Sequence, residues 1–192
     1  AQYYSIPWGG TPSYALYGKS LLNVGAGDDS VKITGAVAGT DSRNVSTINL
    51  GAGNNTLNMS SNITHASILG GANNDSITIT KDPNYRAKTW GSTDMLFGHL
   101  THSLISDSTI ALGDGNNTLN ATAIMNEVAI TAGKGKDTIN ITGELSFSSI
   151  KDSAGDASIS VTSNYEDAIS LYYSSITTGA GNDVVTINNS YN

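Results

Sequence analysis

One nine-residue phrase recurs along this 192-residue chain and restricts its fold more than any other feature. Gly25-Ala-Gly-Asp-Asp29-Ser-Val-Lys-Ile33 returns at Gly51–Met59, Gly71–Ile79, Gly113–Ala121, Gly133–Ile141 and Gly179–Ile187, with a degenerate copy at Ser153–Val161. The starts are separated by 26, 20, 42, 20, 20 and 26 residues, so the unit is 20 residues with occasional additions of 6. The step of 42 is expected to hold one further coil, turning near Gly91-Ser-Thr-Asp94. Self-similarity at a fixed period is the mark of a stacked repeat.

Inside the unit, apolar residues alternate with polar ones, as in Ser76-Ile-Thr-Ile-Thr80, which is strand periodicity. A second strand precedes the glycines, as in Thr47-Ile-Asn-Leu50 and Thr109-Ile-Ala-Leu112. One unit therefore reads strand, glycine turn, strand, polar return. Glycine pairs at this interval exclude a helical reading. A single strand pair cannot bury its apolar side, but stacked units can. The expected fold class is all-β, a right-handed parallel β-solenoid with coils of about 20 residues, the hand following from the usual sense of parallel crossovers. Its core would be the ladder Val31/Ile33, Leu57/Met59, Ile77/Ile79, Leu119/Ala121, Ile139/Ile141, Ile159/Val161 and Val185/Ile187. Residues 1–20 lack the repeat and read as an N-terminal cap. Residues 21–192 read as the solenoid, with excursions at 81–105 and 163–173.

The phrase resembles the calcium-binding nonapeptide of the haemolysin-type (repeat-in-toxin, RTX) family, Gly-Gly-x-Gly-x-Asp-x-apolar-x. Val24-Gly-Ala-Gly-Asp-Asp-Ser-Val-Lys32 matches it everywhere but at the first position, and Leu69–Asp75 matches in part. The resemblance implies calcium held between coils by glycine carbonyls and carboxylates. Carried over by position, those are Asp29, Asp75, Asp137 and Asp183, with Asp28 beside Asp29 in the best-matching turn. Calcium is a hard cation that takes six to eight oxygens, which such turns could aim inward. Two departures stand against a full row of ions. The phrase occurs once per 20 residues rather than every nine, and Asn55, Asn117 and Ala157 occupy the carboxylate position. An Asp/Asn stack bonding to backbone groups is the metal-free alternative.

The formal charge of −7 argues against nucleic acid as a partner. No apolar run reaches the ~18 residues of a membrane span. Cysteine is absent, so no disulfide framework exists. At this length folding buries roughly 70% of the unfolded chain's surface, enough for a core without crosslinks.

The aromatic residues lie outside the phrases, and the segment 81–90 combines Tyr85, Arg86, Lys88 and Trp90, a set suited to gripping an acidic glycan. A capping or packing role is the plainer reading of the same residues. His99 and His102 lack a third ligand at zinc spacing. No nucleophile elbow or phosphate loop is present. The reading that follows is a non-enzymatic structural or adhesive module, secreted or on a cell surface and part of a larger extracellular chain, facing a surface or glycan ligand. A carbohydrate-binding or polysaccharide-active β-helix fragment is the alternative. The Thr/Asn outer face leaves an ice-binding surface as a third.

Overall fold

The computed structural model describes residues 14–80, 103–163 and 170–189. These residues are all β, with no helix among them. The strands pair parallel, and the sheet they form nearly closes on itself around an apolar interior.

The pairing follows the phrase. Strand Ser30–Thr34 pairs with Thr56–Ser60, which pairs with Ser76–Thr80, and that in turn with the first part of Thr118–Lys134. Pairing continues to Thr138–Thr142, Ser158–Ser163 and Val184–Asn189. Register partners such as Val31, Leu57, Ile77, Leu119, Ile139, Ile159 and Val185 form one column. From Leu57 to Val161 both expected columns are buried. Stacking removes each side chain from water on both sides, and a fully buried Ile or Leu contributes about 1.5–3 kcal/mol.

Two features differ from expectation. Ser76–Ile79 pairs directly with Thr118–Ala121, and Ala72 bridges Asp114, so no further coil lies between these repeats. The step of 42 is one repeat interrupted after Thr80, and Gly91–Asp94 lies outside the described residues. Each repeat also carries a short third strand, seen as Ile63–Thr64 and Leu145–Ser146, with Ile63, Ile105, Met125 and Leu145 buried. Two residues are too few to show a period, so sequence patterning missed it. Tyr14–Tyr17, within the expected cap, pairs parallel with Ala36–Ala38, with a register shift between Tyr14 and Leu16. The rest of that cap, residues 1–13, lies outside the described residues. Of the two expected excursions, Ser103–Ile105 belongs to a strand, as does Leu171–Tyr172, which pairs with Leu145–Ser146.

The corner after the third strand is made by residues that are not glycine. His65, Asp107, Glu127, Phe147 and Tyr173 all have φ between 45° and 55°. Left-handed backbone costs an L-residue roughly 1–2 kcal/mol. At three of these five corners, after Asp107, Phe147 and Tyr173, the next residue is a serine whose hydroxyl accepts a backbone N–H of the preceding repeat. Ser108 Oγ accepts from Ala66 N at 3.1 Å, Ser148 Oγ from Val128 N at 3.0 Å and Ser174 Oγ from Ser148 N at 3.0 Å.

Candidate functional site

The glycine turns place two polar columns side by side. Asp29, Asn55, Asp75, Asn117, Asp137, Ala157 and Asp183 share the fifth phrase position and face inward. Asn55, Asn117 and Asp137 are fully buried, and Asp75 nearly so. The backbone N–H of each repeat donates to the side chain of the next. Asp29 N donates to Asn55 Oδ1 at 3.1 Å, while Asn55 N to Asp75, Asp75 N to Asn117 and Asn117 N to Asp137 are each 2.9 Å. Ala157 N donates to Asp183 Oδ1 at 2.9 Å. The fourth phrase position forms a second column that runs the opposite way on the surface. Asn54 N donates back to Asp28 Oδ1 at 2.7 Å, Asn116 N to Asn74 Oδ1 at 2.7 Å, Lys136 N to Asn116 Oδ1 at 2.7 Å and Asn182 N to Asp156 Oδ1 at 2.9 Å.

The inward column alternates. Aspartate occupies every second repeat, with Asn55, Asn117 and Ala157 between. Neighbouring parallel strands lie about 4.8 Å apart, so alternation holds the carboxylates roughly 9.6 Å from one another. The intervening amides also donate: Asn55 Nδ2 reaches Gly53 O at 3.1 Å, and Asn117 Nδ2 reaches Gly113 O at 3.1 Å.

Among the described residues this arrangement does not gather a calcium shell, although Oδ2 of Asp29, Asp75 and Asp137 is buried without a hydrogen-bond partner. Oδ1 of Asp75, Asp137 and Asp183 is already committed to a backbone N–H. Turn carbonyls are committed as well, Gly25 O to Ala52 N at 3.0 Å and Gly113 O to Gly133 N at 2.9 Å. Successive aspartates of the inward column stand two repeats apart, and no group of three acidic or histidine side chains among the described residues could hold a metal. Asp28, beside Asp29 in sequence, accepts hydrogen bonds from Asn54 on the exposed side. A six- to eight-oxygen shell is not assembled.

Burial acts on the acids. It raises the carboxyls of Asp75 and Asp137 above their ordinary value of 3.8, against the lowering effect of the hydrogen bonds from Asn55 and Asn117. Asp152 is the exception to the alternation. It replaces the inward apolar residue before the phrase, where other repeats have Leu50 and Leu112. Its side chain is buried and lies close enough to the Asp137 carboxyl for the two to interact. Desolvation raises its carboxyl first, and the charges of Asp137 and Asp183 raise it further. The same junction lacks both side-chain rungs, because Ala157 cannot accept from Asp137 N and Lys136 cannot accept from Asp156 N.

Tyr85, Arg86, Lys88 and Trp90, the expected glycan set, lie outside the described residues. An aromatic cluster stands elsewhere, at Phe147, Tyr172 and Tyr173. Phe147 and Tyr173 stack with parallel rings, 2° apart in plane and 5.4 Å between centroids, and Tyr172 meets both edge-on. Tyr173 is 77% exposed. The 26-residue spacing of Phe147 and Tyr173 is the repeat step, which was the available signal. A shallow groove of about 230 Å³ lies between Tyr14, Ile63 and Leu104 on the short-strand face.

Family models, curated proteins and solved structures offer no match to this chain. No helix among the described residues is long and apolar enough to cross a membrane.

Proposed function

We propose that this chain is a non-enzymatic structural and adhesive module, a right-handed parallel β-solenoid with coils of about 20 residues, in a secreted or cell-surface protein. The observation that carries the reading is the outer face of the phrase strands. Three residues per strand project there in register, among them Thr56/Asn58/Ser60, Ser76/Thr78/Thr80, Thr118/Asn120/Thr122 and Thr138/Asn140/Thr142. Lys32 is the one charge and Val184 the one apolar residue in this lattice. Hydroxyls and amides join across strands, Ser60 to Thr80 at 2.9 Å and Asn140 Nδ2 to Asn120 Oδ1 at 2.9 Å. A broad neutral lattice on a stiff stack is suited to contact many weak polar groups at once, and multivalent contact multiplies weak affinities.

Two experiments test this. In-frame deletion of Gly133–Asp152 removes one coil of a solenoid and should leave a cooperatively folded, shorter protein with the same far-ultraviolet dichroism per residue. Collapse of that variant would favour a closed sheet instead. Asn120→Lys with Asn140→Lys places charges mid-lattice; adhesion to a target cell surface should fall while the melting temperature holds. Undiminished adhesion would remove the lattice from the function.

A second reading, carbohydrate binding, is favoured by the exposed Phe147/Tyr172/Tyr173 cluster, since sugar faces are apolar and stack on rings. Tyr173→Ala should then abolish binding on a glycan array.

A further inference from the structure

We propose that one corner of the stack is a binding track for a cationic glycan, a short run of amino sugars with free amines, in which Phe147 stacks on a sugar face and Glu127 and Asp107 meet the positive charge. This rests on the carbohydrate-binding reading of the Phe147/Tyr172/Tyr173 cluster and names the class of sugar.

The corner is a single column. The residues just before it stand in register, Thr64 with Ser106, Ser106 with Asn126, Asn126 with Ser146 and Ser146 with Tyr172. The next residue of each repeat gives the order His65, Asp107, Glu127, Phe147, Tyr173 along the stack. With levels about 4.8 Å apart, Asp107 to Tyr173 spans roughly 14 Å, which is longer than one sugar ring.

Phe147 has a repeat on either side of it and is still 55% exposed. Its ring lies parallel to that of Tyr173 with centroids 5.4 Å apart, which leaves no room for a cation between them. The cluster is therefore a stacking platform and not a cage that encloses a cation. A positive charge on the ligand must be met beside the rings, and the next residue of the column there is Glu127, followed by Asp107. Both are exposed, and among the described residues neither side chain is hydrogen-bonded or ion-paired. No Lys or Arg lies within two residues of any corner position. A ligand with an apolar face and a positive charge complements this surface at both places.

Two observations favour a sugar over a basic peptide. The corner backbone is already committed: His65 N donates to Ser106 O at 3.2 Å, Phe147 N donates to Tyr172 O at 2.9 Å, and the N–H groups of Ala66, Val128 and Ser148 donate to serine hydroxyls. A peptide finds no sheet edge to extend. The partly or fully exposed flanking residues Ser106, Asn126, Thr109 and Ser149 are hydroxyls and an amide, which suit sugar hydroxyls. The column also keeps large side chains on left-handed backbone that glycine would relax, and such strain gathers where ligands are held.

Calorimetric titration of the whole chain at about pH 6 and low salt tests the proposal with a β-1,4-linked glucosamine tetramer, its fully N-acetylated counterpart and tetralysine. The amino tetramer should bind roughly tenfold more tightly than the N-acetylated one, and added salt should narrow the gap. Asp107→Asn with Glu127→Gln should bring the two within about twofold of each other. Phe147→Asn removes the ring, tolerates the left-handed corner and should abolish binding of both. Equal binding of the two tetramers by the unaltered chain overturns the cationic assignment and leaves the carbohydrate reading standing. Binding of neither overturns both. Tetralysine that binds more tightly than the amino tetramer, and still binds Phe147→Asn, overturns the proposal in favour of a basic peptide. The comparison of the two tetramers on the unaltered chain decides the matter should a variant fail to fold.

Discussion

Asp and Asn differ by one charge, and the inward column uses that difference at every repeat. An Asn offers Oδ1 to the same N–H that an Asp would satisfy, so alternation preserves the ladder and halves the number of buried charges. At an effective dielectric of ~20, two carboxylates repel by about 3.5 kcal/mol at 4.8 Å and about 1.7 kcal/mol at twice that distance. Asn117→Asp would sit between Asp75 and Asp137 and should destabilise the protein by about 2 kcal/mol at pH 7, with less effect at pH 4, in urea titrations at both pH values. Asp75, Asp137 and Asp152 have carboxyls raised on folding, so the folded state holds protons that the unfolded chain gives up near 3.8. Their contribution to stability is complete below that value and is lost as pH rises through the raised values. The exposed Asp41, lowered by the N–H groups of Arg43 and Asn44, acts in the opposite sense. The midpoint should therefore fall from about pH 4 toward pH 8. Asp152→Leu, which restores the residue type of Leu50 and Leu112, should add about 1–3 kcal/mol at pH 8 and flatten that slope. An unchanged slope would show that Asp152 is not the buried acid responsible. The positions of these side chains were legible in the sequence, but the reason for Asn55 and Asn117 was not. As departures from a calcium motif they read as lost ligands, and only hydrogen-bond directions between repeats show them as working members of a ladder.

At the scale of the element, the phrase strands were the most readable part of the chain. Five residues of period 2 beside a glycine pair leave little choice of structure, and the columns from Leu57 to Val161 fell where alternation put them. The turn is equally constrained. Gly113 has φ +82°, and a Cβ there would overlap the carbonyl oxygen of Gly71. Gly113→Ala should cost more than ~2 kcal/mol through positive-φ strain and that overlap. Calorimetry would check it; a loss under ~0.5 kcal/mol would mean the turns are less tightly stacked. Asn73, at φ 85°, shows the one residue type that replaced a phrase glycine at the third position and kept its conformation. The third strand and its left-handed corner were invisible in sequence. His65, Asp107, Glu127, Phe147 and Tyr173 share no chemistry, and only the serines beside several of them hint at a common geometry.

For the whole molecule, the arithmetic of the steps was legible, and its one error was to count a coil where pairing shows a single interrupted repeat. Calcium was the other expectation drawn from the phrase, and a thermal melt in millimolar calcium and in chelator should give the same midpoint; a rise of several degrees with calcium would reinstate the metal. The junction between the repeats beginning at Gly133 and Ser153 is where Lys136 and Ala157 fall together, so both side-chain rungs are missing at one level. A stack is only as strong under tension as its weakest level. Pulled from its two ends, this protein should part there first, leaving two folded segments of unequal length joined by the unbroken chain, and an Ala157→Asn variant that restores the inner rung should raise the rupture force. A stack with one weak level would yield at a fixed load and keep the repeats on either side intact.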